Sequence, residues 1–145
     1  MKELAVKLKQ LGFPQPDFKF GQKWLYHNEV VLILFCNSFE EKLKYLVEGN
    51  ISTTKDLHYQ YYNLKEDMYF IPTFQDLWNQ LPKDIVLKDG FRVKTCMTLR
   101  LQDENLSYVD YIEDDNDVEY YNQYDTDITE AAAKLWILLK EKNLI

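Results

Sequence analysis

The residues able to do chemistry are few in kind and unevenly placed. His27 and His58 are the only histidines, and Cys36 and Cys96 the only cysteines. No C-x-x-C or H-x-x-x-H spacing connects them, so no zinc pattern exists. Each cysteine sits in an apolar, strand-like context, as a buried free thiol does, and a disulfide lacks the secretory context that favours one. The chain has no G-x-S-x-G elbow, H-E-x-x-H helix, Walker-type loop or G-x-G-x-x-G turn. Carboxylates are abundant, but a catalytic carboxylate needs a pocket that shifts its pKa, and the sequence places none. The expectation is a protein with no catalytic residues, no metal and no cofactor.

The most conspicuous local feature is Glu113-Asp114-Asp115-Asn116-Asp117-Val118-Glu119. It fails as a calcium loop, because no Gly supplies the sharp turn and the ligand spacing is wrong. It reads as a solvated hairpin turn whose charges discourage edge pairing. It also reads as part of a binding face. There Glu113, Asp114, Asp115, Asp117 and Glu119 join Asp103, Glu104, Asp110, Asp125 and Asp127, interleaved with Tyr108, Tyr111, Tyr120, Tyr121 and Tyr124. Such a face can enter the basic groove of a nucleic-acid-binding protein, with carboxylates standing where phosphates would lie. That makes an acidic nucleic-acid mimic over residues 103–127 one functional alternative. A second aromatic cluster, Tyr59-Gln60-Tyr61-Tyr62 with Tyr69-Phe70, reads equally as a contact patch or as alternating Tyr on a half-buried strand.

The charge arithmetic sharpens this. Residues 1–55 carry eight Lys against six acids, and residues 56–102 carry six bases against six acids. Residues 103–145 carry three Lys against twelve acids, so their balance of −9 outweighs the whole-chain net of −7. With no basic cluster to displace counterions, direct nucleic-acid binding is not expected. The N-terminal segment interleaves charges with apolar residues, unlike a signal peptide, and the longest apolar run, Val30 to Cys36, is too short to span a bilayer. A soluble, cytoplasmic protein away from the membrane is the expectation. At 145 residues, 46% hydrophobic and 28% charged, the composition is globular and fits a single domain over 1–145.

The elements that must position these residues are partly legible. Leu4, Leu8 and Leu11 predict an amphipathic helix over 2–11, stopped by Gly12. Trp24–Tyr26 and Val30–Phe35 predict two strands joined by a tight turn at His27-Asn28. The second strand is apolar on both faces and should be central, with helices over one side or both. For Ser38–Val47 a capping box at Ser38/Glu41 and spaced apolar residues favour a helix, although Leu43, Tyr45 and Val47 also alternate. Residues 57–64 and 67–71 read as a strand with an extended lead-in. Thr73 and Asp76 start a helix that Pro82 ends, and Asp127 with Glu130 starts another over Ile128–Lys142. Between them lie strand-like segments Ile85–Leu87, Phe91–Leu101, Leu106–Ile112 and Val118–Tyr124, with turns at Lys88-Asp89-Gly90 and Gln102-Asp103-Glu104-Asn105. The fold class is α+β: a largely antiparallel sheet packed by N-terminal, central and C-terminal helices.

Three stretches carry a family resemblance: Leu4-Ala5-Val6-Lys7-Leu8-Lys9-Gln10-Leu11-Gly12-Phe13, Ile71-Pro72-Thr73-Phe74-Gln75-Asp76-Leu77-Trp78, and Ile128-Thr129-Glu130-Ala131-Ala132-Ala133-Lys134-Leu135-Trp136. In this order they resemble a group of small uncharacterised phage and prophage proteins, common among Bacteroidetes. The resemblance covers about a third of the positions and implies origin rather than activity, since that group has no established catalytic residues. It implies a phage or mobile-element accessory protein acting in the bacterial cytoplasm, through contact with an unknown protein partner. A small-molecule-binding or hydrolytic domain, with a pocket between sheet and helices, is the alternative outside that class.

Overall fold

The computed structural model describes the backbone of residues 1–49, 54–86, 92–103, 106–113 and 119–145. Side chains are described for the same residues except 62, 84, 86, 92–103, 112, 113, 119 and 120. The fold is α+β, and the chain divides into two compact units, Met1–Ile71 and Pro72–Ile145. The first carries nine Lys and nine acids, the second eight Lys/Arg and fifteen acids, so the net −7 belongs to the second unit alone.

Unit 1 opens with helix α1 (Lys2–Gln10), which buries Ala5 and Leu8. It stops where Gly12 takes φ +87°, letting the Phe13 N–H donate to the Leu8 carbonyl at 2.9 Å. A five-stranded antiparallel sheet follows, built from β1 (Lys23–Tyr26), β2 (Glu29–Asn37), β3 (Lys42–Val47), β4 (Thr54–His58) and β5 (Tyr69–Ile71). Its order is β4-β3-β2-β1-β5, which makes β2 central as its composition requires. His27 and Asn28 form the two-residue β1–β2 turn with φ of 47° and 63°. Because glycine accepts positive φ without a Cβ clash, Asn28→Gly is expected to raise stability by about 0.5 kcal/mol. A urea titration of the two proteins checks it.

Two expectations fail in this unit. Residues 42–47 are a strand, not a helix, because β3 is paired on both sides and its alternation buries Leu43 and Tyr45. The Ser38/Glu41 capping box does not form. Instead the Asn37 carboxamide accepts from the Phe39 and Glu40 N–H groups at 3.1 and 3.3 Å, closing a turn. The Tyr-rich segment is also not a continuous strand: β4 ends at His58 and helix α2 (Tyr61–Asp67) begins three residues later.

The core of unit 1 lies on one face of the sheet. Trp24, Val31, Ile33 and Phe70 are buried there, with the Phe18 ring 4.6 Å and the Phe70 ring 5.3 Å from Trp24. On the other face Val30, Leu32 and Leu34 are half-buried and Phe35 is exposed. One edge strand is covered: α1 packs on β5, and the Phe70 N–H donates to the Gln15 side-chain oxygen at 2.9 Å.

Unit 2 contains α3 (Phe74–Gln80), a four-stranded antiparallel sheet in the order β6-β7-β8-β9, and α4 (Ile128–Glu141). The strands are β6 (Asp84–Val86), β7 (Arg92–Asp103), β8 (Leu106–Glu113) and β9 (Glu119–Asp125). The meander expected from the turn signals is present, with Asp103 still inside β7. Residues 88–90 and 104–105 of the two expected turns lie outside the described residues. Thr73 and Asp76 cap α3 reciprocally, and the Asp127 carboxylate caps α4 by accepting from the Thr129 N–H at 2.6 Å. Helix α4 packs on α3, β8 and β9. Its buried set comprises Ala131, Ala132, Ala133, Leu135, Trp136, Ile137 and Leu139, whereas Leu138 is only half-buried.

Candidate functional site

The expected acidic face resolves into residues with separate roles. Glu113 closes β8, and Glu119 and Tyr120 open β9. Asp114, Asp115 and Asp117 lie outside the described residues. Tyr108 stands 5.7 Å from the ring of Tyr124, which is exposed. Tyr111 does not belong to a surface at all. It is buried, and its hydroxyl donates to the Pro82 carbonyl at 2.9 Å, with burial pushing the phenol up. Removing that donor in Tyr111→Phe leaves the carbonyl short of a partner and is expected to cost about 1–2 kcal/mol in a urea titration.

Tyr121 takes φ +54° at a bulge where Tyr121 and Asn122 face Asp110, and the Lys142 ammonium lies 5.7 Å from its ring. Three carboxylates of the stretch are turned to structural use. Asp110 is buried, Asp127 caps α4, and Asp125 accepts from Lys134 Nζ at 2.6 Å.

The Lys134 hydrogen bond, aided by the Asp127 N–H, holds the Asp125 carboxyl down to about 2. Its unfolded value is close to 4, so the pair stabilises unit 2 above about pH 4 and ceases to do so as the pH falls through about 2. The pair is partly solvated, and about 1 kcal/mol is expected. Urea titrations at stepped pH should show wild type and Asp125→Asn differing near neutrality and converging over that window.

Unit 1 carries two grooves with convergent polar groups among the described residues. At the first, of about 620 Å³, Asp17 accepts from the Tyr61 hydroxyl at 2.7 Å and from Lys65 Nζ at 2.8 Å, with Glu41 and Asn63 nearby on the lining. The Lys65 and Tyr61 bonds keep the Asp17 carboxyl low, while burial and the bond to Asp17 push the Tyr61 phenol up. Behind it, Cys36 Sγ lies 3.1 Å from the Tyr59 hydroxyl, and Cys36 is a free thiol. The side chain of Cys96 lies outside those described. The hydrogen-bond partner of the Cys36 thiol is a phenol.

The second groove, of about 480 Å³, lies on the open sheet face and is lined by Phe35, Lys42, Lys44, Asp56 and His58, with Leu43 and Leu57. Strand register explains the grouping: Phe35, Lys44 and Asp56 form one cross-strand row, and Asn37, Lys42 and His58 the next on the same face. Sequence reasoning missed this site because it depends on 42–47 being a strand. The alternation of Leu43, Tyr45 and Val47 was the available signal.

The β2–β3 turn presents Phe39 at 99% exposure, and Phe20 in the segment before β1 is 79% exposed. Among the described residues no group of three or more His, Cys, Asp or Glu is placed to hold a metal, and no helix is long and apolar enough to cross a membrane. The molecule is thus an α+β protein whose described sites are grooves and exposed rings. The chain matches no protein-family model, no curated protein and no solved structure.

Proposed function

We propose that this chain is a non-enzymatic accessory protein of phage or mobile-element origin that works by contact with another protein, and that unit 1 supplies the contact surface. The observation that carries this reading is Phe39, almost wholly exposed at the tip of a hairpin. Its turn is held by two Asn37 hydrogen bonds, so the ring is displayed on an ordered element. Buried aromatic rings are among the strongest contributors to protein interfaces, and an ordered ring loses little side-chain entropy on contact. Phe20 adds a second exposed ring. The origin rests on the three helix signatures described above.

The nucleic-acid mimic is the weaker reading, because Asp110 is buried, Asp125 is paired with Lys134 and Asp127 caps α4. A pull-down from bacterial lysate at low and high salt tests the readings together. Wild type should retain a partner at high salt that the folded Phe20→Ser/Phe39→Ser variant loses. A basic partner that washes off with salt, and is lost in Asp114→Asn/Asp115→Asn/Asp117→Asn instead, would replace this reading with the mimic.

A further inference from the structure

The open-face groove of unit 1 has the chemistry of a small-ligand site, independent of the exposed rings at Phe20 and Phe39. Phe35 is half exposed near the C-terminal end of the nine-residue central strand, where a solvent-facing sheet surface ordinarily carries a polar side chain. Across the sheet, the row runs from Phe35 through Lys44 to Asp56, about 10 Å over two strand spacings. The next row adds Lys42 and His58 as direct cross-strand partners. A volume of about 480 Å³ lies within the range of small-molecule sites.

From these observations we propose that the groove binds a nucleoside monophosphate, with the base on Phe35, the phosphate between Lys42, Lys44 and His58, and Asp56 accepting from a ribose hydroxyl or an exocyclic amine. Each part of the ligand answers a group in the lining. A flat ring gains by stacking on a phenyl face, in a way that tolerates the identity of the base. Two ammonium groups and an imidazole together suit a dianion better than a single carboxylate. One carboxylate among them calls for a hydrogen-bond donor on the same ligand, which a plain aryl phosphate lacks.

The lysines are engaged in the free protein, Lys44 with Asp56 at 3.6 Å and Lys42 with Glu40 at 2.9 Å. All four side chains are at least 45% exposed, and exposed pairs contribute little, so a phosphate can exchange for them at low cost. Because β2, β3 and β4 are hydrogen-bonded neighbours, the five side chains stand on an existing frame. No segment has to fold for the ligand to be met.

The test is a titration of the full-length ¹⁵N-labelled protein with AMP, GMP, CMP and UMP, with adenosine and inorganic phosphate as partial probes. The expected result is saturable shifts confined to residues 35, 42–44 and 56–58 for at least one nucleotide. Adenosine and phosphate should each bind at least about tenfold more weakly. Phe35→Leu keeps an apolar strand residue and should weaken binding about tenfold, as should Lys44→Gln, with the remaining spectrum unchanged. Absence of saturable shifts with all four nucleotides would overturn the proposal. So would shifts centred elsewhere, or equal affinity in a folded Phe35→Leu variant.

Discussion

Replacing Trp24 with Ala should destabilise unit 1 by about 3–5 kcal/mol. Trp24 is fully buried in β1, touches the rings of Phe18 and Phe70, and has Val31 as its cross-strand partner. The cost combines the lost transfer energy of the indole with a cavity that paired strands cannot collapse around. A unit of 71 residues has a total stability of roughly 4–10 kcal/mol, so the variant is left marginal. Urea titration and amide exchange of β1 and β2 measure it. Trp24→Phe should recover more than half of the loss, because a phenyl ring still fills most of the space. A loss under about 1 kcal/mol in Trp24→Ala would mean that the core of unit 1 lies elsewhere.

Lys9→Met should cost about 2–3 kcal/mol, a large effect for a lysine. Its ammonium donates to the carbonyls of Lys65 at 2.9 Å, Glu66 at 2.6 Å and Met68 at 2.8 Å. Those carbonyls belong to the C-terminal end of α2 and the residues just after it, where a helix leaves oxygens unpaired and its dipole favours a cation. The same ammonium lies 4.8 Å from the Tyr69 ring centroid, which adds a further attraction. Burial lowers the Lys9 pKa, and Asp67 and Glu66 oppose that shift. Methionine keeps the stem and removes all three donors, isolating the polar contribution. Lys9→Arg should recover only part of the loss, because a planar fork cannot aim at three carbonyls in different directions. The expected signature is a lower urea midpoint with faster amide exchange at residues 64–68, where α2 ends.

Three of the four helices, α1, α3 and α4, were legible, whereas α2 was not. Gly12 after Leu8 and Leu11, Thr73 with Asp76, and Asp127 before Ile128 are local devices: each satisfies backbone groups within a few residues, so the signal and the structure share the same short span. The β1–β2 turn is legible for the same reason. The candidate sites were mostly not. The sequence drew attention to the acidic run, whose Asp114, Asp115 and Asp117 lie outside the described residues; of the carboxylates grouped with it, Asp110 is buried, Asp125 is paired and Asp127 caps α4. Asp17 and Lys65 are 48 residues apart, and nothing in either neighbourhood announces that they meet.

The α+β class, the helix stops at Gly12 and Pro82, the central place of Val30–Phe35 and the concentration of negative charge after residue 102 were set by the sequence alone. These follow from composition and short-range periodicity. That Lys42–Val47 is a strand was settled by long-range pairing. Its local pattern serves a helix nearly as well, and the choice was made by hydrogen bonds to β2 on one side and β4 on the other. That choice sets Lys42 and Lys44 on one face with Phe35, Asp56 and His58, because side chains alternate along a strand and align across a sheet. A site assembled by register is written in the pairing of distant segments, which no single stretch of the chain contains.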